Sequence, residues 1–165
     1  MQKRYRESLP KVPLIISIVG VIIFAVLFSF FTLRTPSPST TPTYPKIKKE
    51  LNQQFNSNGK VATVKEDRNI NDKTSKKSHT VIIVVLTDKQ TQKYIKTTYE
   101  AVQNNNATTD QKLYIRSIQN IIQKSAKKLD NNYDVIQFVY KDNKSYVPVA
   151  SSQKNKNLIP LVKTK

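Results

Sequence analysis

Cysteine and tryptophan are absent from this chain, and histidine occurs once. Without cysteine there is no disulfide framework, no thiolate nucleophile, no zinc knuckle or finger, and no lipobox anchor. The lone His79 excludes a multi-histidine metal site. Glycine occurs twice, and Gly20 lies in an apolar run, so Gly59 alone serves the rest. That excludes the P-loop and the GxGxxG fingerprint, which need several glycines for close backbone approach to phosphate. Acids are scarce as well: 11 Asp+Glu stand against 28 Lys+Arg in 165 residues, a formal charge of +17. This length allows one modest domain plus attachments.

What is present begins with a long apolar run. Residues 12–33 (VPLIISIVGVIIFAVLFSFFTL) are 22 residues without a charge. As a helix they reach roughly 33 Å, matching the ~30 Å hydrocarbon core of a bilayer. A cleaved signal peptide would carry a shorter apolar region and a small-residue exit, whereas Phe30, Phe31, Leu33 and Arg34 stand at this one. The expectation is a retained signal anchor, with Leu14, Ile18, Ile22, Phe24, Leu27 and Phe31 as membrane-anchor residues. Lys3, Arg4, Arg6 and Lys11 precede it in the tail 1–11, where Glu7 is the only acid. The positive-inside rule then puts the N-terminus in the cytoplasm and the rest of this single-pass protein outside the cell membrane.

Residues 34–46 (RTPSPSTTPTYPK) alternate four prolines with Ser and Thr. Proline fixes φ and removes a donor, so this stretch reads as an extended linker or stalk of roughly 40 Å. Beyond it, 47–150 reads as an extracytoplasmic α+β domain, and 151–165 as a basic, flexible tail.

Within the domain, Ile47, Leu51 and Phe55 are spaced for a helix over Lys46–Asn56, and Lys60–Glu66 reads as a strand. Residues 67–78 read as a polar loop. Thr80–Leu86 is a continuous β-branched run, expected to be central and buried on both faces. Thr87-x-x-Gln90 and Thr108-x-x-Gln111 match capping boxes, opening helices over 88–104 and from 108 to about 129. Between them Asn104-Asn105-Asn106 supplies a left-handed stop. Ile136, Phe138 and Tyr140 alternate with Val135, Gln137 and Val139, and Asp142-Asn143 turns the chain into a hairpin partner, Ser145–Val149. Pro148 marks that strand as an edge. The order α-β-β-α-α-β-β predicts an α+β domain with a four-stranded sheet, antiparallel or mixed and mainly antiparallel, and helices packed on one face.

Catalytic chemistry has little to work with. No pair among the ten carboxylates beyond the span is spaced for acid–base work, and Ser125-Ala126-Lys127-Lys128 matches S-x-x-K without companion motifs. An envelope enzyme would have to rely on groups such as His79, Asp130 and Asp134. The expectation is therefore no enzyme, no cofactor and no metal.

Charge is the other signal. Residues 34–165 hold 24 Lys+Arg and ten acids. Lys124, Lys127, Lys128, Lys141 and Lys144 are the candidate residues for an anionic partner, grouped where the long helix ends and the last hairpin turns. Of the 28 basic residues 23 are Lys, a hydrated point charge, not the geometry-reading fork that nucleic-acid recognition usually recruits. With 14 Asn as well, much of the excess fits A-rich codon usage and a merely solvated surface.

Two functions follow. The first is a membrane-anchored interaction or accessory module of a bacterial envelope, either a subunit of a transfer or secretion machine or an exclusion or immunity protein of a mobile element. Its docking surfaces would be the edge Ser145–Val149 and the segment Leu158–Val162, its partners the lipid bilayer and another envelope protein. The alternative is a surface receptor for anionic polymers: teichoic acid, anionic lipid head groups or, least favoured, nucleic acid.

Overall fold

A computed structural model of the chain describes residues 41–164. The basic tail, the expected span with Leu14, Ile18, Ile22, Phe24, Leu27 and Phe31, and residues 34–40 of the linker lie outside the described residues. Among the described residues no helix is long and apolar enough to cross a membrane.

Helix α1 (Pro45–Phe55) starts on proline, whose missing N–H costs nothing in a first turn. Strand β1 (Ala62–Ile70) follows, then β2 (His79–Leu86), helices α2 (Lys89–Gln103) and α3 (Thr109–Ala126), and the hairpin β3 (Val135–Asp142) and β4 (Ser145–Ser152). The order of elements is the one expected.

The sheet order is β1-β2-β3-β4. Both hairpins are antiparallel, but the central β2–β3 pairing is parallel, Val81 beside Val135 and Val85 beside Val139. The sheet is therefore mixed. The reason lies in the helical pair, which returns the chain to the end where β2 began, so β3 must run in β2's direction.

Side chains alternate across the sheet. Ile82, Val84, Leu86, Ile136, Phe138 and Tyr140 meet Leu51, Ile95, Ile115, Ile118 and Ile122 of the helices in one core. Val81, Ile83, Val135 and Val139 form a second buried cluster that contains no helix residue. The three helices thus pack on one face.

Several boundaries move. β1 continues through Arg68 and Asn69, part of the expected loop, because β2 pairs with it as far as Ile70–His79. Asn69 takes a positive φ of 58° at the irregularity. Asp88, not Thr87, caps α2: its carboxylate accepts the Thr91 N–H at 2.8 Å, while the Thr87 hydroxyl donates to the Val61 carbonyl at 3.1 Å. The Thr108–Gln111 capping box is present with both hydrogen bonds. Asn105 (φ 58°) and Asn143 (φ 53°) take the left-handed turns. Pro148 sits on the edge strand beside an irregularity in register.

The ends of the domain also differ from the reading of 34–46 as linker and 151–165 as loose tail. Thr41 and Tyr44 are buried. The Pro42 carbonyl accepts the Thr80 hydroxyl at 2.7 Å, and Arg68 donates to the Thr41 carbonyl. At the other terminus β4 runs to Ser152, and the chain folds back. Leu158 N–H donates to the Ser151 carbonyl at 2.8 Å, Gln119 holds Val162 N–H at 2.7 Å, and Arg116 donates to the Val162 carbonyl at 2.9 Å. The segment Leu158–Val162, a candidate docking surface in the sequence, spends its stickiness on its own domain: Leu158 on the second cluster, Val162 on the helical core.

Candidate functional site: the basic end of the sheet

One end of the sheet is where β2 and β3 begin and β1 and β4 finish. Helix α3 ends there in a tightened turn, with Lys128 N–H and Leu129 N–H donating to the carbonyls three residues back. Leu129 is buried and anchors the exit. Asn131 then organises the loop. Its side-chain oxygen accepts the N–H groups of Tyr133 and Asp134 at 3.0 and 2.8 Å, and its amide donates to Asp134 at 2.7 Å.

Asp134 is fully buried and takes two further donors, the Thr80 N–H at 2.8 Å and the Tyr44 hydroxyl. A buried carboxylate is tolerable only when so satisfied. Burial, then the bond to Asp134, pushes the Tyr44 phenol well above its ordinary value. The residue that fixes the start of the domain is thus clamped to the loop that starts β3.

Against this loop the chain after β4 makes a tight turn, with Gln153 N–H donating to the Lys156 carbonyl at 2.8 Å. Gln153 reaches the Tyr133 carbonyl at 3.4 Å, and Asn155 reaches Asn132 at 2.9 Å. The result is a cleft of about 430 Å³ lined by Gln123, Lys127, Gln153, Lys154, Asn155, Lys156 and Asn157. Three lysines and four amide residues line it, with no acidic and no aromatic residue. Next to it Lys77 lies over the Tyr133 ring, 5.3 Å from its centre. The C-terminus of α3 is the wrong helix end for an anion, so any attraction comes from the side chains.

The five lysines predicted from sequence do not form one group. Lys127 lines the cleft, with Lys124 one turn back on α3. Lys128 is tied to Glu50 at 2.5 Å, and that ammonium holds the Glu50 carboxyl below the usual carboxylate range. Lys141 and Lys144 lie at the other end of β3, whose seven steps from Val135 to Asp142 at about 3.3 Å each span about 23 Å. Beside them Asp142 is paired with Lys96 at 2.7 Å, which holds the Lys96 ammonium above its ordinary range. The reason is strand length: neighbours in the hairpin turn are a whole strand from the helix end.

The sequence reading missed Lys154 and Lys156. Their only signal was the tract Gln153–Asn157, where Lys alternates with amides. Lys77 had been placed in a polar loop; its stacking on Tyr133 was not foreseen.

Besides Asp134, His79 is fully buried, with Nδ1 3.2 Å from the Lys77 carbonyl and Nε2 3.2 Å from the Thr74 hydroxyl. Asp130 is exposed, with its N–H donating to Tyr44. Ser125 is buried in the last turn of α3. Among the described residues no group of three or more His, Asp or Glu could hold a metal ion.

No protein-family model matches this chain, and neither does any curated protein or any solved structure compared with it.

Proposed function

We propose that the chain is a non-catalytic, membrane-anchored binding module of the cell envelope, carried outside the membrane, whose domain takes an anionic partner at its basic end. The observation that carries the reading is the cleft: Lys127, Lys154 and Lys156 line it together with Gln123, Gln153, Asn155 and Asn157, and no acidic residue does. Ammonium groups attract phosphate or carboxylate, and amides offer hydrogen bonds to phosphate and hydroxyl oxygens. The absence of a ring in the cleft argues against stacking nucleobases. A polymer of phosphates and hydroxyls, such as a teichoic acid, suits it better.

The test uses the full chain in zwitterionic nanodiscs, titrated with labelled inorganic polyphosphate. Neutralising three phosphates at about 0.7 per contact gives a slope near −2 in log affinity against log salt. Lys127→Gln, Lys154→Gln and Lys156→Gln together should abolish most binding, and Lys141→Gln with Lys144→Gln should leave it intact. Binding that ignores salt, or that follows Lys141 and Lys144, refutes the reading.

A second reading, an accessory module that docks another envelope protein, is favoured by Tyr94 and Leu113. These large apolar side chains are 52% and 50% exposed on α2 and α3, with Tyr94 edge-on to Tyr114 at 5.3 Å. Loss of a co-purified partner on Tyr94→Ser and Leu113→Ser would support it.

A further inference from the structure

The chain joins the domain at the same end that carries the cleft. Thr41 is held by Arg68 and Asn69, and the Pro42 carbonyl by Thr80. Tyr44 is held by Asp134 and Asp130. Asp130 and Asp134 belong to the loop that follows Lys127 and Lys128, and Asn132 and Tyr133 of that loop hold the 153–157 turn. Lys77 caps the Tyr133 ring. The tether point and the ammonium groups of Lys77, Lys127, Lys154 and Lys156 therefore share one set of hydrogen-bonded loops.

We propose that this basic end rests on the anionic head groups of the bilayer in which the chain is anchored. The inference deepens the anionic-partner reading and rests on it and on the anchor at 12–33. Between the anchor and Thr41 lie residues 34–40. Seven residues reach at most about 25 Å at about 3.6 Å each. The clamp at Thr41–Tyr44 spends the rest of the Pro-rich segment inside the domain. A tether this short keeps head groups at high effective concentration around the domain it carries.

Charge complementarity points the same way. The tether end offers a cleft lined by three lysines and no acid, with Asp130 exposed in the adjoining loop, and the far end offers Lys141 and Lys144 beside the Lys96–Asp142 pair. Each lysine brought to an anionic leaflet strengthens contact by about fivefold, within a Debye length of about 8 Å. Three lysines change the ratio of docked to undocked domain by about a hundredfold.

The chain has no cysteine, so single labels are clean. Asn71→Cys places an exposed label just beyond β1 at the basic end, and Ser145→Cys places one at the far end. The full chain is reconstituted in discs of phosphatidylcholine alone or mixed with phosphatidylglycerol, with acceptor dye on the lipids. Expected is strong energy transfer from the Asn71 label and weak transfer from the Ser145 label in anionic discs. That contrast should collapse in phosphatidylcholine, at high salt, and in the Lys127→Gln, Lys154→Gln, Lys156→Gln chain. Equal transfer in both lipids overturns the proposal. If polyphosphate still binds in that case, the anionic-partner reading stands and only its lipid form has failed. Loss of both refutes the two together, and a chain that never enters the discs refutes the anchor on which the proposal rests.

Discussion

Replacing Tyr44 by Phe removes one oxygen atom and leaves the ring. Tyr44 is 5% exposed, and its hydroxyl is one of three donors to Asp134, which is itself 0% exposed. The same oxygen accepts the Asp130 N–H at 3.3 Å. A hydrogen bond to a charged group contributes about 1.5–3 kcal/mol, and the Asp130 N–H, only partly buried, can turn to water. Because the ring keeps its packing, no cavity adds to the loss. Tyr44→Phe should therefore destabilise the domain by about 2 kcal/mol, or roughly 5–10 °C in Tm for a domain of this size. Urea unfolding of the full chain in neutral detergent, followed by near-ultraviolet circular dichroism, reads the change. The midpoint should fall with an unchanged slope, since the surface exposed on unfolding is the same. A loss smaller than about 0.5 kcal/mol would refute the view that this clamp holds residues 41–44 to the domain.

Two further outcomes follow from single caps. Thr108→Ala breaks the reciprocal bonds with Gln111 and should cost about 1 kcal/mol by the same unfolding assay, with Thr87→Ala costing clearly less. Asp88 is held below the ordinary carboxylate range by the Thr91 N–H and hydroxyl. A depressed value in the folded state means that its stabilisation is fully present above the ordinary carboxylate pKa. It is lost as pH falls through the lowered one. Asp88→Asn keeps a capping oxygen and should flatten the acid limb of a plot of Tm against pH; an acid limb identical to that of the unmodified chain would contradict the role.

Local signals and tertiary decisions separate cleanly in this chain. The run Val81–Leu86 announces a central strand because β-branched residues without alternation fit only a strand covered on both faces. The Thr108 box and the asparagine stops are likewise local chemistry. Residues 67–70 (Asp-Arg-Asn-Ile) could not be read as strand, because their place is fixed by pairing with β2 and not by their own pattern. Parallel pairing of β2 with β3 depends on where α3 ends, which no periodicity reports. The site shows the same division. Lys127 was legible as part of a basic helix end, which is also where a lysine simply suits the helix dipole. Lys154 and Lys156 come to its side only because backbone hydrogen bonds fold the last residues over β4. Lys141 and Lys144, at the turn of the last hairpin, are a strand's length away.

Anions should gather at the end of the sheet where residues 41–44 enter the domain. Amide chemical-shift mapping of the isotopically labelled full chain in zwitterionic discs, during titration with inorganic polyphosphate, tests it directly. Salt-sensitive shifts should concentrate on Lys77, Lys127, Asn132, Tyr133 and residues 153–157. Shifts spread evenly over the lysines, or centred on Lys141 and Lys144, would contradict it.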